Sequence, residues 1–226
     1  MSYAPGATET AQTTFRFAGG ALILDAATGK TRGRNGVGSA RTTAVGLGWS
    51  NGAARISSGV VEERGQVLGA RSGGALRLGD GSTTAFLEAG YQADAGGWTF
   101  DGYGSIGVTH LDTGARSVLS DASDFITSRF GLEASRRAFG GTVSFGLAQP
   151  LIVERGTAAI GLARSYDLET HNLRFDSRRI DLSGERRALL STAYLADIEG
   201  GSLRFGLAHG VGSGDTAAVV SIGRRF

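Results

Sequence analysis

The chain has 226 residues, of which 38 are glycine and only two are proline, with 41% hydrophobic residues, 19% charged residues and a formal charge of +2. So much glycine argues against a helical protein, because each interior glycine costs a helix about 1 kcal/mol relative to alanine; so little proline, and no glycine repeat at every third position, argue against linker-type disorder and collagen. The absence of cysteine excludes disulfide scaffolds, thiolate metal sites and cysteine nucleophiles, and a charge carried by 22 arginines and the single Lys30 is too small in sum to point to nucleic acid.

No run approaches the ~18 apolar residues of a spanning helix. Met1 to Pro5 lead into neither a basic nor an apolar stretch, so no signal peptide is expected here, and an exported form would be a mature product or an excised domain. Residues 1–40 are the least readable part. Thr13 to Phe17 and Ala21 to Asp25 could pair as strands, but the reading adopted is a linker or partly ordered segment. Residues 41–226 are expected to form the folded domain. There the periodicity is two. Strands are expected to start near residues 41, 54, 67, 82, 97, 124, 141, 156, 172, 185, 201 and 216, separated by turn signals such as Ser50-Asn51-Gly52, Ala95-Gly96-Gly97 and Phe139-Gly140-Gly141. That gives about twelve strands, or fourteen with the N-terminal pair. Their spacing, 13 to 17 residues apart from one gap of 27, exceeds the roughly 8–12 residues of a soluble sandwich. It leaves room for the ~9–11-residue strands that cross a membrane.

Each strand has one apolar face. Trp98, Phe100, Ile106 and Val108 share one; so do Val143, Phe145, Leu147 and Leu151; so do Leu203, Phe205, Leu207 and Val211. The opposite faces are rich in glycine, alanine and serine with charges of both signs. Arg77, Glu88, Asp101, Arg129, Glu133, Arg137 and Arg204 fall there and are expected to face a narrow lumen, with the apolar faces toward lipid. Trp49, Tyr91 and Trp98 sit at strand ends, where membrane barrels carry aromatic girdles.

The last strand ends Val219-Val220-Ser221-Ile222-Gly223-Arg224-Arg225-Phe226. A terminal Phe226 behind alternating Ile222 and Val220 resembles the C-terminal signature of bacterial outer-membrane proteins, which the barrel-assembly machinery reads; Arg224 departs from that pattern. Residues 135–156, with Gln149-Pro150-Leu151 and then Val153-Glu154 at their heart, resemble the C-terminal barrel of alphaproteobacterial subtilisin-like autotransporters. Arg164 to Leu168, then Ser183-Gly184-Glu185-Arg186, then the closing strand follow in that family's order. The resemblance implies a translocator that stays in the bacterial outer membrane after exporting a passenger. The passenger itself is absent: no Gly-Thr-Ser-Met-Ala or His-Gly-Thr motif occurs.

Little else in the sequence points to chemistry. His110, His171 and His209 have no second histidine at ligand spacing, so no metal site and no cofactor is expected. His110, Asp112, Asp121 and Asp124 flank the longest loop, where a histidine with a carboxylate could act as a base; a solvated loop with turn-forming aspartates is the reading adopted. The expectation is therefore an all-β, antiparallel transmembrane β-barrel acting as translocator and anchor, without catalytic residues. A small outer-membrane channel or loop-based enzyme is the first alternative. A soluble secreted β-sandwich for binding is the second.

Overall fold

A computed structural model describes residues 8–32, 39–71, 78–114, 117–198, 201–212 and 214–224. None of these is helical. The strands are β1 (Glu9–Phe17), β2 (Gly20–Arg32), β3 (Ser39–Ser50), β4 (Ala54–Arg64), β5 (Gln66–Val67), β6 (Ala70–Arg71), β7 (Gly81–Ala95), β8 (Trp98–Asp112), β9 (Leu119–Ser120), β10 (Phe125–Ala138), β11 (Gly141–Arg155), β12 (Thr157–Asp167), β13 (Asn172–Asp181), β14 (Ala188–Ile198), β15 (Gly201–Val211) and β16 (Thr216–Arg224). Eleven of them form one sheet in the order β1-β2-β3-β4-β7-β8-β10-β11-β14-β15-β16. Every neighbouring pair in it is antiparallel. β1 and β16 are its two ends, and among the described residues they do not pair with each other.

Local chemistry explains the hairpins. Ala95 and Trp98 are joined by Gly96 and Gly97 at φ of 59° and 77°, the two left-handed residues that match the twist of a two-residue hairpin. Phe139 and Gly140 repeat this at φ of 55° and 74°. Phe139 has no glycine freedom, and the Tyr194 hydroxyl, donating to its carbonyl at 2.7 Å, helps hold the turn. The connections at this end of the sheet (18–19, 51–53, 96–97, 139–140, 199–200) are all two or three residues long. At the other end they run 33–38, 65–80, 113–124, 156–187 and 212–215. One end therefore carries short turns and the other carries long loops.

The sheet curls. Ala27, Ala44, Val61 and Phe86, from β2, β3, β4 and β7, form a buried cluster against which Leu151 of β11 packs. In the sheet β11 is separated from β7 by β8 and β10, so only a curled sheet brings Leu151 there. Small side chains on the inner face permit that curl. A Cβ on Gly59 would meet the Val45 carbonyl, Gly46 Cα and the Phe86 ring. Gly59→Ala is therefore expected to destabilise the fold by about 1–3 kcal/mol through overpacking, read as a shift in the urea unfolding midpoint.

The long-loop end has its own core. Val67, Leu111, Leu119, Phe125 and Ala158 are buried together, with Val153, Ile160, Ile180 and Leu182 against them. β12 pairs with β13 and with β9 in a separate three-stranded sheet that helps build this cap. β13 ends at Asp181, whose carboxylate accepts the Ser183 amide at 2.8 Å; that bond holds the carboxyl below its usual range.

Four expectations are corrected. Glu9–Phe17 and Gly20–Arg32, expected within a linker or partly ordered segment, are strands β1 and β2, the paired alternative, and β2 makes a full ladder with β3. Alanine and threonine fill much of both strands (Thr10, Ala11, Thr13, Thr14; Ala26, Ala27, Thr28), so the apolar contrast that reveals a strand is weak. The strand expected near 67 shrinks to the two-residue β5, which turns back through Leu68 and Gly69, both at positive φ. The strands expected near 156 and 172 form, but outside the main sheet. Leu151 lies on the face opposite to Leu147, because the β10–β11 register shifts between Ser128 and Phe130. Pro150 sits in that irregularity, where a residue without an N–H costs the ladder nothing.

Candidate functional site: the polar inner face

Register places the side chains on two distinct faces. On the inner face, Ile23, Gly48, Ser57, Glu88, Ser105 and Arg129 form one cross-strand row. Below it lie Arg55, Gly90, Tyr103, Gly131 and Ala148, then Gln92, Asp101, Glu133, Gly146 and Ser191. Glu88, Asp101, Arg129, Glu133, Arg137 and Arg204 are all on this face. Arg77 lies outside the described residues.

The structure joins these charges into pairs. Arg129 Nη2 donates to Glu88 Oε2 at 2.9 Å, and its Nε donates to Ser105 Oγ at 3.1 Å. Its guanidinium lies 5.2 Å from the centre of the Tyr103 ring. The two side chains are 24% and 17% exposed, which makes this the most enclosed ion pair among the described residues of the face. Arg55 reaches across β7 to Asp101 at 3.3 Å, in a more open setting. Arg55 and Tyr103 were not singled out from sequence. Their signal was the same alternation: Arg55, Ser57, Gly59 and Val61 share a phase. Tyr103 fits because its neighbours on both sides are glycines; a Cβ on Gly131 would run into its ring.

Higher on the inner face is a neutral polar row and a buried carboxylate. Thr84 and Thr109 hydroxyls are 2.8 Å apart, and both residues are buried. Glu63 is 1% exposed. Its carboxylate accepts from the Gly69 amide at 2.9 Å and from Ser82 Oγ at 3.0 Å. Gln66, also buried, donates to Thr42 Oγ1. The β11 irregularity carries a polar cluster on the other face: Ser128, opposite the outer-face Ile106, donates to Glu154 and accepts from Gln149, and Arg186 Nη2 reaches Glu154 at 3.0 Å.

The outer face is apolar and exposed. Its rows include Val45, Val60, Ala85, Val108 and Ile126, then Leu24, Leu47, Leu87 and Ile106, then Leu22, Trp49, Ile56, Ala89 and Phe130. Lower rows hold Tyr91, Leu132, Leu147 and Leu190, then Phe100, Phe145 and Leu207, then Trp98, Val143, Tyr194, Phe205 and Val220. Leu47, Leu87, Ile106, Leu132 and Phe145 are each about half exposed or more. Toward the long loops the next row turns polar, with Thr43, Glu62, Thr83 and His110. Trp49, Tyr91 and Trp98 are all outer-face residues near the short turns; Arg136 lies over Trp98 at 5.9 Å. Val220 and Ile222 are outer-face and exposed at 65% and 74%. Phe226 lies outside the described residues.

The loop histidine assembles no reaction centre. His110 Nδ1 is 2.9 Å from Asp124 Oδ1, with both side chains more than 60% exposed. Asp121 instead pairs with Arg179, and the Asp112 carbonyl accepts the Asp80 amide at 2.7 Å. Among the described residues no group of three or more histidine and acidic side chains is placed to hold a metal ion. Comparison with known protein families, with curated proteins and with solved structures finds no match to this chain.

Proposed function

We propose that the eleven-stranded sheet is the wall of a bacterial outer-membrane β-barrel that anchors and translocates a passenger, in the manner of an autotransporter. The observation that carries the membrane reading is the exposed apolar outer face set against a polar, small-residue inner face. Water would leave that outer face as a patch far larger than the few hundred Å2 a soluble monomer tolerates. Lipid would cover it, and the polar face would line the lumen. On β8 the apolar positions run from Trp98 to Val108, a length that suits the ~9–11 residues of a tilted crossing strand.

Three further features support the reading. Short turns at one end and long loops at the other are the asymmetry of outer-membrane barrels. Trp49, Tyr91 and Trp98 stand near the short-turn end, where an aromatic girdle would meet headgroups. The C-terminal strand runs toward that same end, which would be the periplasmic one. The autotransporter role rests on the resemblance of residues 135–226. It fits an inner face whose charges are paired. The same reading makes outer-membrane lipid, the barrel-assembly machinery and an upstream passenger the partners.

The expected result is that the chain fractionates with membranes and leaves them only in detergent. A chain that stays monodisperse in plain buffer overturns the membrane reading. Fusing a protease-sensitive reporter ahead of residue 1 tests translocation: it should become accessible to protease added outside intact cells, and a reporter that stays protected overturns the translocator role.

A further inference from the structure

We propose that the outer face carries a binding groove for an anionic glycerophospholipid, with Arg136 and Trp98 at the headgroup end and an acyl chain laid against Leu132, Phe145 and Leu147. This rests on the membrane reading and assigns one class of lipid to one place on the wall.

The shape of the outer face gives the groove. On β8 the outer-face positions run Trp98, Phe100, Gly102, Gly104, Ile106 and Val108, so two successive positions have no side chain. A Cβ at Gly104 would meet nothing within 4 Å. Beside Gly102 stand Tyr91 of β7, Leu132 of β10, Phe145 and Leu147 of β11 and Leu190 of β14, around a groove of about 570 Å3. The space continues past Gly104 toward Ile56 as a further hollow of about 490 Å3, with Tyr91 and Leu132 as shared walls.

One end of the groove is charged. Arg136 is exposed on the outer face near the Phe139-Gly140 turn, in a row otherwise made of Trp98, Val143, Tyr194 and Phe205. Its guanidinium lies 5.9 Å from the centre of the Trp98 ring, and that ring lies 6.2 Å from Phe145 on the groove wall. Cation, indole and groove are therefore contiguous. Among the described residues no carboxylate pairs with Arg136, and no acceptor takes the Trp98 indole N–H. Arg136 is four positions from Leu132, roughly 13 Å along the strand, a span that the glycerol and first methylenes of a lipid bridge. Each feature selects one part of the ligand. A guanidinium beside an indole N–H offers several donors to a phosphate, and its charge favours a headgroup of net negative charge. The apolar wall takes hydrocarbon, and the girdle position of Trp98 sets the groove at the boundary between headgroup and chain. A second copy fits worse, because the outer-face rows around the groove would bring no acid to Arg136.

The test uses Trp98 as its reporter. The chain has two tryptophans, so Trp49→Phe leaves Trp98 alone. This chain is refolded into phosphatidylcholine vesicles that contain a minor fraction of acyl-brominated lipid, which quenches a neighbouring indole. The brominated lipid carries either a phosphatidylglycerol or a phosphatidylcholine headgroup. At equal dose the phosphatidylglycerol form should quench Trp98 about fivefold more effectively, the factor expected of one cation near an anionic lipid. Arg136→Gln should remove that preference and Arg136→Lys should keep most of it. Ala134→Leu fills the groove between Phe100 and Phe145 and leaves the charge in place; it should bring quenching by the phosphatidylglycerol form down toward the phosphatidylcholine level. Equal quenching by the two lipids in the inserted chain, or a preference that survives Arg136→Gln or Ala134→Leu, overturns the lipid site and leaves the membrane reading standing. Because the chain has no cysteine, Ala134→Cys reports on a second copy: an intermolecular disulfide between inserted chains would show another protomer in the groove and overturn the lipid assignment. A chain that stays outside the vesicles and is quenched by neither lipid overturns both readings.

Discussion

Leu147→Arg is expected to lower the stability of the lipid-inserted chain by about 2–4 kcal/mol, the cost of a cation near the midplane on a lipid-facing strand position. Leu147 lies in the middle of β11, in one outer-face row with Tyr91, Leu132 and Leu190. Apolar rows lie on both sides of it, so the guanidinium cannot reach a headgroup without pulling its stem across other side chains. Gly146→Arg, one residue away, is the control. Its side chain enters the inner face between Glu133 and Ser191, where the charge meets a carboxylate and any cost comes from crowding against Ser191 Oγ. Urea unfolding from vesicles separates the two. The Gly146 variant should refold in detergent and lipid alike, whereas the Leu147 variant should lose far more in lipid than in detergent. Equal losses in the two media for Leu147→Arg, Phe145→Arg and Phe205→Arg would show that the outer face does not meet lipid.

Much of this architecture was legible because it is written with period two. Turn chemistry at Gly96-Gly97 and Phe139-Gly140 marks two hairpins. The phase of Trp98, Phe100, Ile106 and Val108 marks the outer face of β8. The paired charges of the inner face follow from the same phase, although which cation meets which carboxylate depends on strand order, which no local pattern encodes. Three things were hidden for separate reasons. The change of face at Leu151 comes from a ladder irregularity, and a single inserted residue inverts every alternation beyond it. The departure of β12 and β13 from the sheet is a tertiary choice: their alternation is as good as that of β14, and only the cap of Phe125, Ala158 and Ile180 draws them off. The role of Glu63 was invisible because Glu62 and Glu63 are adjacent and identical. Register alone sends Glu62 to the exposed outer face, beside Arg64 at 2.7 Å, and Glu63 to the buried inner one.

Glu63→Ala is expected to cost about 2–5 kcal/mol, and its effect should be local before it is global. The side chain holds two elements at once. One oxygen binds the Gly69 amide in the turn between β5 and β6, and the other binds Ser82 at the start of β7. Alanine leaves the buried Ser82 hydroxyl without its acceptor, at about 1–3 kcal/mol, frees the exposed Gly69 amide from its anchor, and opens a void beneath the turn. Glu63→Gln keeps an acceptor and the volume, so a loss of about 1 kcal/mol or less is expected for it. The segment released is the one that buries Gln66 against Thr42 and carries Val67 into the cap at the long-loop end. Trypsin should therefore cut after Arg64 much faster in Glu63→Ala than in Glu63→Gln, while amide exchange in β8 and β10 stays close to that of the native chain. In planar lipid bilayers, loss of this turn should also open the long-loop end, with Glu63→Ala passing more ions than Glu63→Gln. Equal cleavage and equal conductance in the two variants would mean that packing of Val67, rather than the carboxylate, holds the segment in place.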